Sequence, residues 1–143
     1  MLFSRSAEYA VRAMTFLAMQ PSGKLSGAKE IAEAENIPIP FLWKILQNLA
    51  RRRLIRSFKG SRGGYQLAFP AEQITLQAVV GATDGEGLTS GCVLGLATCS
   101  EENACPLHDT WKRIRLEMDE MMQQNTLADL AKVALRRQKR KRT

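Results

Sequence analysis

The sequence predicts a mainly α fold: a winged helix-turn-helix followed by a long C-terminal dimerisation helix. Three observations carry this. Apolar residues recur at helical spacing in successive segments at the start of the chain. A glycine-rich, cationic hairpin follows them directly. Near the C-terminus, large apolar residues alternate at four- and three-residue spacing. A chain of 143 residues, 45% apolar and 24% charged, has the length and composition of one globular domain, or of one small domain with an appendage, which argues against wholesale disorder.

The elements follow in order. Residues 3–19 read as a helix, with Phe3, Ala7, Ala10, Met14, Leu17 and Ala18 on one side and Arg5, Glu8 and Arg12 between them. Pro21, Ser22 and Gly23 end it. Ser26 reads as the N-cap of a short second helix built on Ala28, Ile31, Ala32 and Ala34. Asn36, Pro38 and Pro40 break that helix, and a third begins at about Pro40, because proline suits a first helical turn. Leu42, Ile45, Leu46 and Leu49 make its buried stripe, and Arg51, Arg52 and Arg53 close it, where cations suit the helix dipole. The runs 54–58 and 65–69 are strands joined by Lys59-Gly60-Ser61-Arg62-Gly63-Gly64, the wing. Residues 74–83 form a fourth short helix.

Residues 84–105 have no period and carry the cysteines, which in a loop of this length points to function. Leu107, Trp111, Ile114, Met118 and Met121 then form a heptad-like seam on one long helix. Thr126 and Asp129 have the spacing of a capping box and start a last short helix. The expected organisation is therefore a DNA-binding domain over 1–83, a cysteine loop over 84–105, dimerisation helices over 106–135 and a basic disordered tail over 136–143.

Charge narrows the class of partner. The net charge of +7 is distributed as +7 over residues 1–70, −6 over 71–135 and +6 over 136–143. A basic module of this kind is the footprint of a polyanion partner, usually nucleic acid. No apolar run reaches the roughly 18 residues of a membrane span, and Arg5, Glu8 and Arg12 exclude a secretory signal. The expectation is a cytoplasmic protein that does not enter membranes.

In a helix-turn-helix the third helix enters the major groove. There Lys44 has the chemistry to donate to guanine and Gln47 to pair with adenine. Trp43 packs on sugar or a thymine methyl, or else belongs to the core, as aromatics at helical spacing usually do. Lys59 and Arg62 at the hairpin tip reach phosphates or an adjacent minor groove. The alternative is a solvated cationic helix end with a structural hairpin.

The second constellation is Cys92-x6-Cys99-x5-Cys105-x2-His108. Thiolates are soft ligands for iron–sulfur clusters, Zn or Cu(I). Structural Zn sites usually show a tight CxxC knuckle, which is absent, and three spread thiolates suit a larger cluster. A fourth ligand is needed, and His108 is the chain's single histidine, one turn after Cys105. The other readings are a Zn site, a thiol switch, incidental cysteines, or a cysteine enzyme with a Cys105/His108 dyad. The last lacks an oxyanion motif and is set aside, so no enzymatic activity is expected.

Ser6-Ala7-Glu8-Tyr9-Ala10-Val11-Arg12-Ala13-Met14, Phe41-Leu42-Trp43-Lys44-Ile45-Leu46, the hairpin 59–67, Ile74-Thr75-Leu76, the cysteines with Pro106-Leu107-His108, and Thr126-Leu127-Ala128-Asp129-Leu130 together resemble the Rrf2 family of bacterial winged-helix transcription regulators. The resemblance spans about residues 1–133. It implies a homodimer built on the long helix, bound to a palindromic double-stranded DNA operator as a repressor. It also implies an iron–sulfur cluster on Cys92, Cys99 and Cys105 that senses redox state, nitric oxide or iron. In one branch of the family the fourth ligand corresponds to His108, with a 2Fe-2S cluster. In the other it corresponds to Glu8 of the partner subunit, with a 4Fe-4S cluster.

Overall fold

The structure, a computed structural model, describes residues 2–85, 91–96, 100–102 and 104–142. Helix α1, Arg5–Ala18, starts where the Ser4 hydroxyl accepts from the Ala7 amide at 3.0 Å. Ser4 also donates through its amide (3.1 Å) and hydroxyl to the Asp84 carboxylate. Ala7, Ala10, Ala13, Met14 and Leu17 are buried along α1, and the small residues among them let neighbouring backbones approach closely.

Helix α2, Ala28–Glu35, ends at Asn36, whose left-handed conformation (φ 51°) makes the sharp turn. Ser26 is not its cap. Gly27 holds that position, and Ser26 is buried and pairs instead with the wing: its amide donates to the Tyr65 carbonyl (3.0 Å), and its carbonyl accepts from the Tyr65 amide in return (2.8 Å). A long-range strand pairing thus overrides the local capping signal.

Helix α3, Ile39–Arg51, has proline in its first turn as expected. Leu42, Ile45, Leu46 and Leu49 are all buried, and each contributes about 1.5–3 kcal/mol of burial. Strands β1, Ile55–Phe58, and β2, Gly64–Leu67, pair antiparallel with Ile55 opposite Leu67 and Phe58 opposite Gly64. The turn demands its glycines. A Cβ on Gly63 would lie 2.1 Å from the Phe58 carbonyl oxygen, and one on Gly64 (φ 151°) would lie 2.9 Å from the Ser26 backbone.

A short 3-10 turn, Ala71–Gln73, leads into helix α4, Leu76–Asp84, capped by Thr75, whose hydroxyl accepts from the Ala78 amide at 3.1 Å. Helix α5, His108–Gln124, follows the cysteine loop, and helix α6, Leu127–Arg142, completes the chain. The capping box forms as the spacing predicts: the Asp129 carboxylate accepts from the Thr126 amide (2.9 Å), and the Thr126 hydroxyl from the Asp129 amide (3.3 Å).

Two differences from the sequence reading concern α6. It is long, and residues 136–142 continue it rather than forming a disordered tail, since lysine and arginine are good helix formers and cations suit a C-terminal end. Its first turns also belong to the winged-helix core. Thr126 bridges to Thr75, the Leu127 amide donates to the Ile74 carbonyl (2.9 Å), and Leu127 is fully buried in one cluster with Met14, Leu46, Leu49 and Val79. A smaller cluster of Ala7, Leu76, Val80 and Met122 joins the end of α5 to α1 and α4.

Candidate functional site

Burial of the α3 stripe turns the opposite face outward. Trp43 is 55% exposed, so it is not core, and Lys44 and Gln47 are exposed beside it. Phe41, 57% exposed, joins them near the start of the helix; sequence reasoning assigns it no role, although it stands one residue off the apolar stripe. The wing presents Lys59 and Arg62 to solvent on a turn closed by a 3.0 Å bond from the Gly63 amide to the Gly60 carbonyl. The cationic wing and the exposed α3 face are thus held on one core, to which the Ser26–Tyr65 pairing ties the wing. Such a surface offers groove-reading donors and phosphate contacts together.

The second site lies where the cysteine loop meets α5. Cys92 and Cys105 are free, partly exposed thiols. The backbone amides of Leu94 and then Leu96 hold the Cys92 thiol below the ordinary range. The Cys105 thiol acts in the same direction. The third cysteine, Cys99, lies outside the described residues. His108 is 5% exposed, and its amide donates to the Cys105 carbonyl at 3.0 Å, which fixes it one turn past that thiol.

Two side chains of α5 anchor the loop. The Trp111 indole donates to the Gly91 carbonyl at 2.8 Å, next to Cys92, and Lys112 pairs with Glu101 at 3.0 Å. The hydrogen bond and charge of Lys112, and then the charge of His108, keep the Glu101 carboxyl below the usual range. Trp111, which the sequence marks only as a seam residue, is therefore also a loop anchor. Among the described residues no three His, Cys, Asp or Glu side chains converge as a metal site, so Cys92, Cys105 and His108 are not gathered into one there, and Cys99, the remaining expected thiolate, lies outside the described residues. Glu8 sits on α1, half-buried, 3.9 Å from Arg5.

The seam of α5 is open to solvent in the single chain: Leu107, Ile114 and Met121 are 45%, 45% and 41% exposed, while only His108 and Met122 of this helix are buried. Among the described residues no helix is long and apolar enough to cross a membrane.

The family model described as "Rrf2: Iron-dependent Transcriptional regulator" matches residues 3–133. A chain of Mycobacterium tuberculosis named as a putative HTH-type transcriptional regulator is 40% identical over 136 residues, covering 94% of this chain and 84% of that one. The regulator IscR of Sodalis glossinidius is 28% identical over 130 residues (91% and 78%), and NsrR of Halalkalibacterium halodurans is 36% identical over 103 residues (71% and 66%). Among solved structures, CymR, the global cysteine regulator of B. subtilis, superposes with a TM-score of 0.80 at 26% identity, covering 92% of this chain and 96% of that one. These relatives are transcriptional regulators and not enzymes. The three-helix core with its cationic wing, the exposed face of α3 and a family match over residues 3–133 lead to one conclusion: the chain belongs to the Rrf2 family of DNA-binding transcriptional regulators.

Proposed function

We propose that this regulator is a cytoplasmic homodimeric repressor that senses iron, redox state or nitric oxide through an iron–sulfur cluster held by Cys92, Cys99 and Cys105. The observation that carries this reading is a loop with two free, partly exposed thiols, Cys92 and Cys105, tied to the first turns of α5 at Gly91 and Glu101. The donor set suits the group: soft thiolates, one of them favoured by two backbone amides, on a loop tied at Gly91 and Glu101 to the first turns of α5. The family's iron-dependent description supports it as well.

When bound, a cluster supplies a centre whose presence and charge follow the supply of iron and oxidants. The chain's own residues do the rest. Cys92, Cys99 and Cys105 would hold the cluster through their thiolates, with His108 or Glu8 of the partner subunit as the fourth ligand. Trp111 and Lys112 transmit the loop's position to α5, whose end packs through Met122 on α1 and α4. Lys44 and Gln47 meet base edges, Trp43 packs beside them, and Lys59 and Arg62 hold phosphates of a palindromic operator. A coupling of about 1–3 kcal/mol between loop and reading helix is the usual size for such linkage.

Mössbauer spectra of the anaerobic protein, its Glu8→Ala variant and its His108→Ala variant test the ligand set. The reading expects one variant to lose or alter the iron spectrum while the other keeps it. Iron-free protein in all three, after reconstitution, would overturn it.

A second reading, a thiol switch or Zn site, is favoured by the two free, partly exposed thiols of Cys92 and Cys105 on one loop, which an external oxidant could join as a disulfide. Single Cys→Ala variants separate the two. A disulfide switch needs two particular cysteines, whereas a cluster needs all three.

A further inference from the structure

The last turns of α6 carry Arg136, Arg137, Lys139, Arg140, Lys141 and Arg142, with no acidic residue after Asp129. These six cations supply all but one of the chain's net +7 charges. They lie outside the family match, which stops at residue 133, so the shared fold does not require them. They are nonetheless not a loose appendage. The helix that bears them is capped by Thr126 and Asp129, bridged to Thr75, and anchored through buried Leu127 and Ala131 to the body that carries α3 and the wing.

From Ala131 to Arg142 the helix extends roughly 16 Å, and every described residue from Leu135 on is exposed. Along it Arg136 neighbours Lys139 and Arg140, and Arg137 neighbours Arg140 and Lys141, at like-charge spacings that oppose a helix in water. A polyanion lifts that opposition. We infer that the cationic end of α6 is a second nucleic-acid contact, a helical arm that grips the phosphate backbone of duplex DNA without reading its sequence. The partner's chemistry follows from the charge. Six cations in seven residues, fixed to a module that already binds duplex DNA, meet phosphates at the high local concentration set by that module. The arm accordingly adds affinity and footprint to any sequence, and leaves the choice of operator to α3 and the wing.

The inference rests on the family's DNA binding and not on the iron–sulfur reading, so its test needs neither operator nor cluster. The purified full chain is titrated by fluorescence anisotropy onto a random duplex of about 40 base pairs across roughly 50–200 mM salt. Three proteins are compared: the native chain, a variant with all six cations changed to Gln, and a variant with Arg136→Lys, Arg137→Lys, Arg140→Lys and Arg142→Lys. Each phosphate contact contributes about 0.9 to the slope of log affinity against log salt, so the Gln variant is expected to lose roughly 3 or more of slope and at least about tenfold in affinity. The Lys variant is expected to stay within about twofold of the native chain, because phosphate gripping needs charge rather than a fixed side-chain shape. Equal slopes in all three proteins would overturn the arm while leaving DNA binding intact. So would an unchanged duplex slope together with cation-dependent binding to phosphatidylserine-containing vesicles, which would assign the helix to an anionic membrane surface. No duplex binding by any of the three would remove the family-based premise itself.

Discussion

Single glycines decide whether the wing exists. Gly63 faces the Phe58 carbonyl so closely that no Cβ fits, and Gly64 combines a positive φ with the Ser26 backbone against its α-carbon. Gly63→Ala is expected to cost about 2 kcal/mol or more in urea unfolding and to weaken DNA binding. Gly81 gives the opposite sign. It lies inside α4, where an added methyl group would meet nothing within 4 Å, so Gly81→Ala is expected to stabilise by roughly 0.5–1 kcal/mol through helix propensity alone. Equal effects of the two substitutions would contradict the steric account. The contacts proposed for α3 and the wing divide by kind. Lys44→Ala is expected to cost about 1–3 kcal/mol on the operator and to relax preference at one base pair, whereas Arg62→Ala weakens all duplexes alike and lowers the salt slope by about 1. Anisotropy on operator and scrambled duplexes over a salt series distinguishes them.

At the scale of elements, the capping box is the point at which α6 is tied down. Thr126→Ala is expected to cost about 1 kcal/mol. Asp129 adds a pH signature. The Thr126 amide, then its hydroxyl, hold the Asp129 carboxyl below the ordinary range. The stability it contributes is therefore present above that range and is lost as pH falls through the lowered folded value. Melting curves of the native chain and Asp129→Asn should differ at neutral pH and converge at acidic pH; a constant difference would show that the carboxylate's charge plays no part. The same elements show what local sequence carries. The α3 stripe, the proline start and the wing glycines are legible because each is a signal within a few residues. Ser26 looks like a cap because a serine before an apolar run always does, and its true partner, Tyr65, is distant in the chain. The length of α6 is hidden because a run of cations reads as solvated tail, although a capped, partly buried first half nucleates the helix for it. The cysteines are legible as ligands from their chemistry, whereas the bond from the Trp111 indole to Gly91 depends on how the loop lies against α5, which spacing does not encode.

The whole molecule is one winged-helix body with α5 turned outward from it. Leu107, Ile114 and Met121 leave a seam exposed at heptad-like spacing, the surface a second copy would cover. Ile114→Glu is expected to convert a sedimenting dimer to monomer and to weaken operator binding steeply, since two half-sites are then engaged separately. A dimer that survives this substitution would place the interface elsewhere. The claim on which sensing depends is that Cys92, Cys99 and Cys105 hold one inorganic centre. The visible absorption of anaerobically purified, reconstituted protein tests it most directly. The account predicts thiolate-to-iron bands between roughly 320 and 460 nm that disappear in each of the three single Cys→Ala variants. A colourless protein, with zinc or no metal in the native chain, would contradict it.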